Sequence, residues 1–366
     1  MSEHPPTSRV FNFGAGPSVL PLSVLEEVRD EIVDYRRTGM SIIEMSHRSS
    51  PYESVHRGAI ALIRELIAVP DEFEVLFIQG GATMQFGMVP MNLLTGSSTG
   101  AYVDTGAWAS KAFNDAGHHG DVYEAWSGRA IGYNTIPETA ELSIRGDTRY
   151  VHVTSNETIG GIQYGAWPDI AVPLVADMSS DLFSRPIPWE RFDVVYGGVQ
   201  KNLAPAGLAL VFIRSSTLEH TERDLASYLR FDVHASKNSM YNTPPVFPIY
   251  VMEKVLRWIR DRGGLPAMAA AADARAEVLY RTIDESDGFY LNPVDTGSRS
   301  NMNVVFRLSE EDMEPQFVAA AAERGMVGLE GHRSVGGCRA SIYNAMPMSG
   351  VETLSEFMFD FQRSAG

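Results

Sequence analysis

The apolar residues of this chain fall into two kinds of run. Short blocks such as EVLFI (74–78), AYV (101–103), YVHVT (150–154), VPLVAD (172–177), DVVYGG (193–198) and LALVFI (208–213) are apolar almost throughout. A strand covered on both faces has this signature, since it has no solvent side on which to be polar. Between several of the blocks lie segments with apolar residues three and four apart, as in 83–94 and 107–116, which predict amphipathic helices. Two more such segments come earlier: 21–37, with Pro21 suited to a first turn, and 54–68. Strands and helices in this alternation predict an α/β fold built on a mostly parallel sheet with helices on both faces.

From Pro245 the pattern changes. Two long helical stretches, 246–262 and 266–285, follow one another, and the tail then reads strand (302–308), helix (312–324), strand (339–344) and helix (351–363). That order predicts a second, smaller α+β domain. The expected division is an N-terminal segment, 1–20, packing with the small domain; a large domain, 21–262; and a small C-terminal domain, 263–366.

Composition narrows the function classes. With 366 residues, 44% hydrophobic and 21% charged, the chain has ordinary globular proportions. A formal net charge of -16 and the lack of any basic stripe argue against nucleic-acid and anionic-membrane partners. An anionic substrate would therefore need a few local arginines to overcome the background. Cys338 is the only cysteine, so neither a disulfide framework nor a cysteine zinc site is expected. His118 and His119 are adjacent and would not share one face of a helix, so no metal site is expected either. The start, MSEHPPTSRV, has no apolar core of a signal peptide, and no window reaches the length of a membrane span, which makes the cytoplasm the default location.

Three strand ends carry candidate chemistry. QGGATMQF (79–86) leaves a strand and opens a helix, and its glycines let the backbone approach an anion, most naturally a phosphate; a plain strand–helix turn is the competing reading. Asp177 ends VPLVAD, where a carboxylate faces the crevice at the C-terminal edge of a parallel sheet, or else caps a helix. Lys201 follows the next strand, where a buried amine is a nucleophile toward carbonyl carbon and a surface lysine is the alternative. Together a phosphate cradle, a carboxylate and an amine meet the needs of pyridoxal 5'-phosphate: N–H groups for its phosphate, an acid for its ring nitrogen and a lysine for its aldehyde. Trp108, opening a helix, suits stacking on such a ring, and core packing is its alternative. Thr158 has a hydroxyl within reach of the same region. His47 and Arg48 in MSHRSS, and His332, Arg333 and Arg339 in GHRSVGGCRASIYN, suit a substrate with a phosphate and a carboxylate, because guanidinium binds both in forked geometry; ordinary solvated arginines are the competing reading, favoured unless the cofactor residues are counted.

The motifs GAGP, MSHRS, QGGATMQF, SNETIGG, VADMSSD, QKNLAPAGLA, YNTPP and GHRSVGGCRASIYNAMP, spread over nearly the whole chain, make it resemble the phosphoserine aminotransferases, class-V members of the fold-type I pyridoxal-phosphate enzymes. The resemblance implies that Lys201 forms the Schiff base and transfers the proton, Asp177 pairs with the pyridine nitrogen, Trp108 stacks on the ring and Thr158 contacts its hydroxyl. It implies that Ala82, Thr83 and Gln200 bind the phosphate, joined by Asn242 and Thr243 from the other subunit of a homodimer with shared active sites. His47, Arg48, His332 and Arg333 would surround the substrate's phosphate or side-chain carboxylate, and Arg339 would hold the α-carboxylate. The implied reaction is ping-pong transamination between L-glutamate and 3-phosphohydroxypyruvate in serine biosynthesis, with the phosphohydroxythreonine step of pyridoxine biosynthesis as a second use. Some members carry arginine where Thr83 stands; that charge is missing here. Two other class-V activities compete. A desulfurase needs a thiol on a mobile loop, whereas Cys338 precedes a strand, and alanine–glyoxylate transamination has no need of two extra His-Arg pairs. A cofactor-fold protein that only binds is a third alternative, against which the joint presence of Asp177, Lys201 and the arginines argues.

Overall fold

Apolar blocks with no polar face can only be satisfied in the middle of a layered structure, and the fold is arranged around that requirement. The computed structural model describes residues 9–219 and 224–365. Along the chain the elements are β1 (Phe11–Asn12), α1 (Leu22–Glu31), α2 (Ser50–Leu66), β2 (Phe73–Gln79), α3 (Ala82–Leu93), β3 (Thr99–Asp104), α4 (Ala107–Ala116), β4 (Asp121–Ser127) and β5 (Thr148–Thr154). A small hairpin, β6 (Asn156–Glu157) and β7 (Ile162–Gln163), precedes β8 (Leu174–Asp177), β9 (Phe192–Gly198) and β10 (Leu208–Arg214). Two short helices, α5 (Ser215–Leu218) and α6 (Phe231–Ser236), lead to the long α7 (Val246–Asp261) and α8 (Gly264–Asp284). The chain closes with β11 (Tyr290–Leu291), β12 (Asn303–Leu308), α9 (Glu314–Glu323), β13 (Met326–Val327), β14 (Cys338–Ser341) and α10 (Met348–Ala365).

The central sheet has seven strands in the order β2-β10-β9-β8-β5-β3-β4. All are parallel except β10, which runs antiparallel to both of its neighbours. The fold class read from the pattern is therefore correct. Because successive side chains point to opposite faces, each strand feeds two cores. Val75, Phe77, Val151 and Val153 pack on one side with Val55, Leu62 and Ile63 of α2 and with Ile249, Val255 and Leu256 of α7. Leu76, Ile78, Tyr102, Tyr150 and Val194 point the other way, onto Phe86, Val89 and Leu93 of α3 and Ala112 and Ala116 of α4.

Two details differ from the pattern. DVYEAWS (121–127) carries too many polar residues to read as a covered strand, yet it forms the sheet edge, β4, where one side is open. The first helix was expected to run to Arg37 but ends at Glu31; Tyr35–Arg37 is a separate turn in which Arg36 and Arg37 take φ of 49° and 63°, a conformation no right-handed helix continues through. Tyr35 is drawn inward there, its ring meeting Tyr250 of α7 edge-on at 5.7 Å.

A separate apolar cluster lies in the C-terminal part, formed by the antiparallel sheet β11-β12-β14, the second half of α8, α9 and α10. The N-terminal segment reaches it: β1 pairs in parallel with β13, and Phe13 is fully buried in the same cluster. Phe317 of α9 is its hub, fully buried with Phe306, Tyr290, Phe357 and Phe361 between 5.0 and 5.9 Å away. Removing that ring leaves a cavity its aromatic neighbours cannot close. Phe317→Ala is expected to lower the unfolding free energy by about 3–5 kcal/mol, measured by urea denaturation; a loss below about 1 kcal/mol would show that the cluster is not tightly packed.

Candidate active site

Every strand end named in the sequence reading opens on the same edge of the sheet. Thr154 at the end of β5 lies beside Asp177 at the end of β8, which lies beside Tyr196 in β9. Beyond β2, Gly80 and Gly81 adopt φ of 115° and 134°, so only glycine fits without strain, and α3 starts immediately after them. The N–H groups of Ala82 and Thr83 thereby open α3 without intrahelical acceptors, while the Met84 N–H closes on the Gly81 carbonyl at 3.1 Å. A cavity of about 150 Å³ results, lined by Gly80, Gly81, Ala82, Thr83, Trp108, Thr154, Asn156, Thr158, Asp177, Ser179, Ser180, Gln200 and Lys201.

Lys201 is 8% exposed. Its Nζ donates to Thr158 Oγ1 at 2.9 Å and to Ser180 Oγ at 3.4 Å, and stands 5.8 Å from the centre of the Tyr343 ring. Asp177 is 4% exposed, and its Oδ1 accepts from the Ser179 N–H at 2.8 Å and the Ser179 hydroxyl at 2.5 Å. Burial pushes its carboxyl above the ordinary carboxylate range, opposed by the Ser179 hydrogen bonds and the charge of Lys201. Among the described residues, neither Lys201 nor Asp177 takes an ion-pair partner within 4.0 Å. The indole Nε1 of Trp108 is buried with no hydrogen-bond partner. A cation, an anion and a donor thus share one small cavity, each short of a partner.

A second cavity, of about 570 Å³, adjoins the first across Ala107–Trp108 and Thr158–Ile159; Ser110, Tyr133, His332 and Arg339 line it. Arg339 Nη1 donates to the Thr158 carbonyl at 3.4 Å, its Nε has no partner, and burial pulls its pKa below the usual range. His332 shares a hydrogen bond of 2.7 Å with Ser334 and is only partly buried.

Not all the candidates gather here. Arg333 and Arg48 are exposed, His47 is half-buried, and none of the three lines either cavity. Asn242 and Thr243 are exposed just outside the β2 end, where the Thr243 carbonyl accepts from Gln79 Nε2 at 2.7 Å. Within one chain these five side chains stand apart from Lys201. The structure also adds residues that no pattern singled out. Ser179 and Ser180 hold Asp177 and Lys201. Ser18, from the GAGP turn, bonds the Lys201 carbonyl through its hydroxyl and the Gln200 carbonyl through its N–H. Asn202 bridges the Ser180 and Leu182 carbonyls to the N–H of Asn344. Serine and asparagine occur in every loop, so residue type alone gave no signal; the motif GAGP did, though without a role.

Residues 10–354 match the family model for class-V aminotransferases. The chain belongs to this family. Among its class-V relatives, the phosphoserine aminotransferase of Lysinibacillus sphaericus (strain C3-41) is 49% identical over 358 residues, 98% of this chain and 99% of that protein. The solved phosphoserine aminotransferase from Bacillus circulans subsp. alkalophilus superposes with a TM-score of 0.96 at 49% identity, covering 98% and 100% of the two chains. A phosphoserine aminotransferase from Trichomonas vaginalis, solved with pyridoxal phosphate bound, superposes with a TM-score of 0.91 at 35% identity over 96% of this chain and all of that one.

One group of this class-V site titrates near neutrality. Glu157, fully buried beside Thr158, has its pKa pushed up to about 7, because burial outweighs the N–H groups of Ala109 and Trp108 and the charges of Asp177 and Asp104 add to it. In the unfolded chain the carboxyl ionises near 4.5. Between those values the folded state keeps a proton that the unfolded chain has lost, so the stability this provides is present at low pH and vanishes as pH rises through about 7. The unfolding free energy of the cofactor-free protein should therefore fall more steeply between about pH 5 and about pH 8 in the native sequence than in Glu157→Gln, by urea titration. Identical slopes would contradict the assignment.

Proposed function

We propose that this chain is a homodimeric, pyridoxal 5'-phosphate-dependent phosphoserine aminotransferase acting on L-glutamate and 3-phosphohydroxypyruvate. The observation that carries the reading is the cavity in which Lys201 and Asp177 lie buried together without an ion pair, beside the open first turn of α3. The cofactor suits the unmet groups there: the buried carboxylate of Asp177 matches a protonated ring nitrogen, and the amine of Lys201 matches an aldehyde. The N–H groups of Ala82 and Thr83, with the Gln200 side chain, match a phosphate, and the flat face of Trp108 matches an aromatic ring. Bound there, pyridoxal 5'-phosphate supplies an aldehyde to take up the amino group and a ring that accepts the electron pair left at the substrate's α-carbon.

The chain's own residues do the rest. Asp177, kept short of any other cation, holds the proton on the ring nitrogen. Lys201 would hold the cofactor's aldehyde, and its free amine would take the proton from the substrate's α-carbon. Thr158 and Ser180 keep that amine aimed into the cavity. Arg339 binds the α-carboxylate through a guanidinium whose Nε its surroundings leave unsatisfied. L-Glutamate gives 2-oxoglutarate in one half-reaction, and 3-phosphohydroxypyruvate gives O-phospho-L-serine in the other; a phosphohydroxythreonine substrate would use the same groups. His332 lines the substrate side of the site. Asn242, Thr243, His47 and Arg48 stand away from their own chain's Lys201, which supports a homodimer in which they serve the partner's site.

The desulfurase alternative loses support at Cys338, which is buried in the small core with its thiol pushed up to about 12 by burial and by the neighbouring carboxylates of Glu314 and Glu330. Cys338→Ala should keep transaminase activity within about twofold, because the thiol only fills space. Lys201→Ala should lower kcat by at least about 10³-fold and abolish the visible absorbance of bound cofactor; full activity would sink the mechanism. Steady-state rates on 3-phosphohydroxypyruvate and on unphosphorylated hydroxypyruvate test the substrate. A kcat/KM preference of at least about 10²-fold for the phosphorylated acid is expected, and equal rates would refute the assignment.

A further inference from the structure

Glu157 is an expensive residue to bury. Its carboxylate is fully enclosed at the end of β6, and among the described residues no cation pairs with it. Both oxygens instead accept backbone N–H groups from a helix nearly fifty residues earlier: Oε2 from Trp108 at 3.1 Å and Oε1 from Ala109 at 2.8 Å. These are first-turn donors of α4, which has no cap of its own, because the residue before the helix is Gly106 and offers no side chain. Gly106 is also the only residue type that fits: a Cβ there would stand 2.8 Å from the Glu157 carboxyl carbon. The pairing of a bare glycine with a carboxylate from a distant hairpin is thus a single built feature, and it grips the backbone of Trp108 itself.

The next residue along the hairpin, Thr158, takes the other side of the cavity, accepting from Lys201 Nζ at 2.9 Å. The dipeptide Glu157–Thr158 therefore ties down the indole wall with one side chain and the reactive amine with the next. The Trp108 ring makes no hydrogen bond, since its Nε1 is buried without a partner; it rests against the apolar core beside α3 and α4, with Lys111 Nζ 5.7 Å from its centre. With no polar anchor on the ring, its placement depends on the backbone from which it projects, and Glu157 holds that backbone.

We propose that Glu157 is a positioning residue that fixes the Trp108 ring over the cofactor cavity by capping α4 from the β6–β7 hairpin. The proposal rests on the pyridoxal-phosphate reading above. It predicts that the Glu157 effect passes through the indole and through nothing else.

The test is a double-mutant cycle read by cofactor binding. Glu157→Gln keeps shape and volume but turns one acceptor into a donor facing an N–H group. Titrating the cofactor-free protein with pyridoxal 5'-phosphate, and following visible absorbance and quenching of Trp108 fluorescence, should show an affinity loss of about tenfold with weaker quenching. In a Trp108→Ala background the same substitution should cost less than about twofold, since no ring is left to place. An equal loss in both backgrounds would mean that Glu157 acts on the fold or on Lys201, and would overturn the proposal. Unchanged affinity and quenching in the single variant would also overturn it. If Glu157→Gln does not fold, Glu157→Asp keeps the charge and withdraws the acceptors by one methylene, and the same cycle applies. Native protein that binds the cofactor but fails to transaminate phosphohydroxypyruvate would instead count against the proposed function alone.

Discussion

The central constraint on this molecule is that a buried ammonium and a buried carboxylate must share a cavity without neutralising each other. Opposite charges a few ångströms apart in a poorly solvated site attract strongly, and a flexible lysine would ordinarily close the gap. Here each is occupied from its own side. Ser179 holds the Asp177 carboxylate through both its N–H and its hydroxyl, while Thr158 and Ser180 hold the Lys201 amine. The separation is enforced by strand spacing: Asp177 ends β8, and Lys201 sits beyond the end of its neighbour β9. The parallel sheet supplies that spacing, and its demand for cover on both faces dictates the helical layers.

The carboxylate and the amine also explain why the surroundings are polar. A charge deprived of its natural partner is tolerated only where other dipoles are fixed around it. The hydroxyls of Thr158, Ser179 and Ser180, the amides at the start of α3 and the guanidinium of Arg339 with its unsatisfied Nε form such an environment. It is costly to the apo fold and is relieved by a ligand that is at once anionic, cationic and aromatic.

The strands were legible because burial on both faces removes alternation, which is why 74–78 and 208–213 needed no other signal. β4 was not, since an edge strand is less completely covered and carries polar residues such as exposed Asp121 and half-buried Glu124. The end of α1 was hidden for another reason: the reversal at Arg36 and Arg37 is forced by where Tyr35 packs, a tertiary effect absent from local pattern. In the site, Lys201 and Asp177 stood out because charge at the end of an apolar run is anomalous. Trp108 and Thr158 drew their meaning mainly from the motifs around them. Glu157 sat unnoticed inside SNETIGG, because a glutamate before a threonine looks like any loop residue until its fifty-residue reach to α4 is seen.

The turn after β1 touches the reactive lysine's backbone through Ser18, 183 residues away in sequence, while β1 itself is paired to β13 near the far end of the chain. Asn344 closes the same ring of contacts through Asn202. These closures join residues 11–18 to residues 201 and 326–327, and residue 202 to residue 344, so they belong to the slow, non-local part of folding. A chain emerging from the ribosome can build much of the large sheet early, yet the groove around the amine stays unfinished until residues 326–344 have followed. Closure of the groove around the amine therefore waits on contacts between segments far apart in sequence, an order imposed by topology.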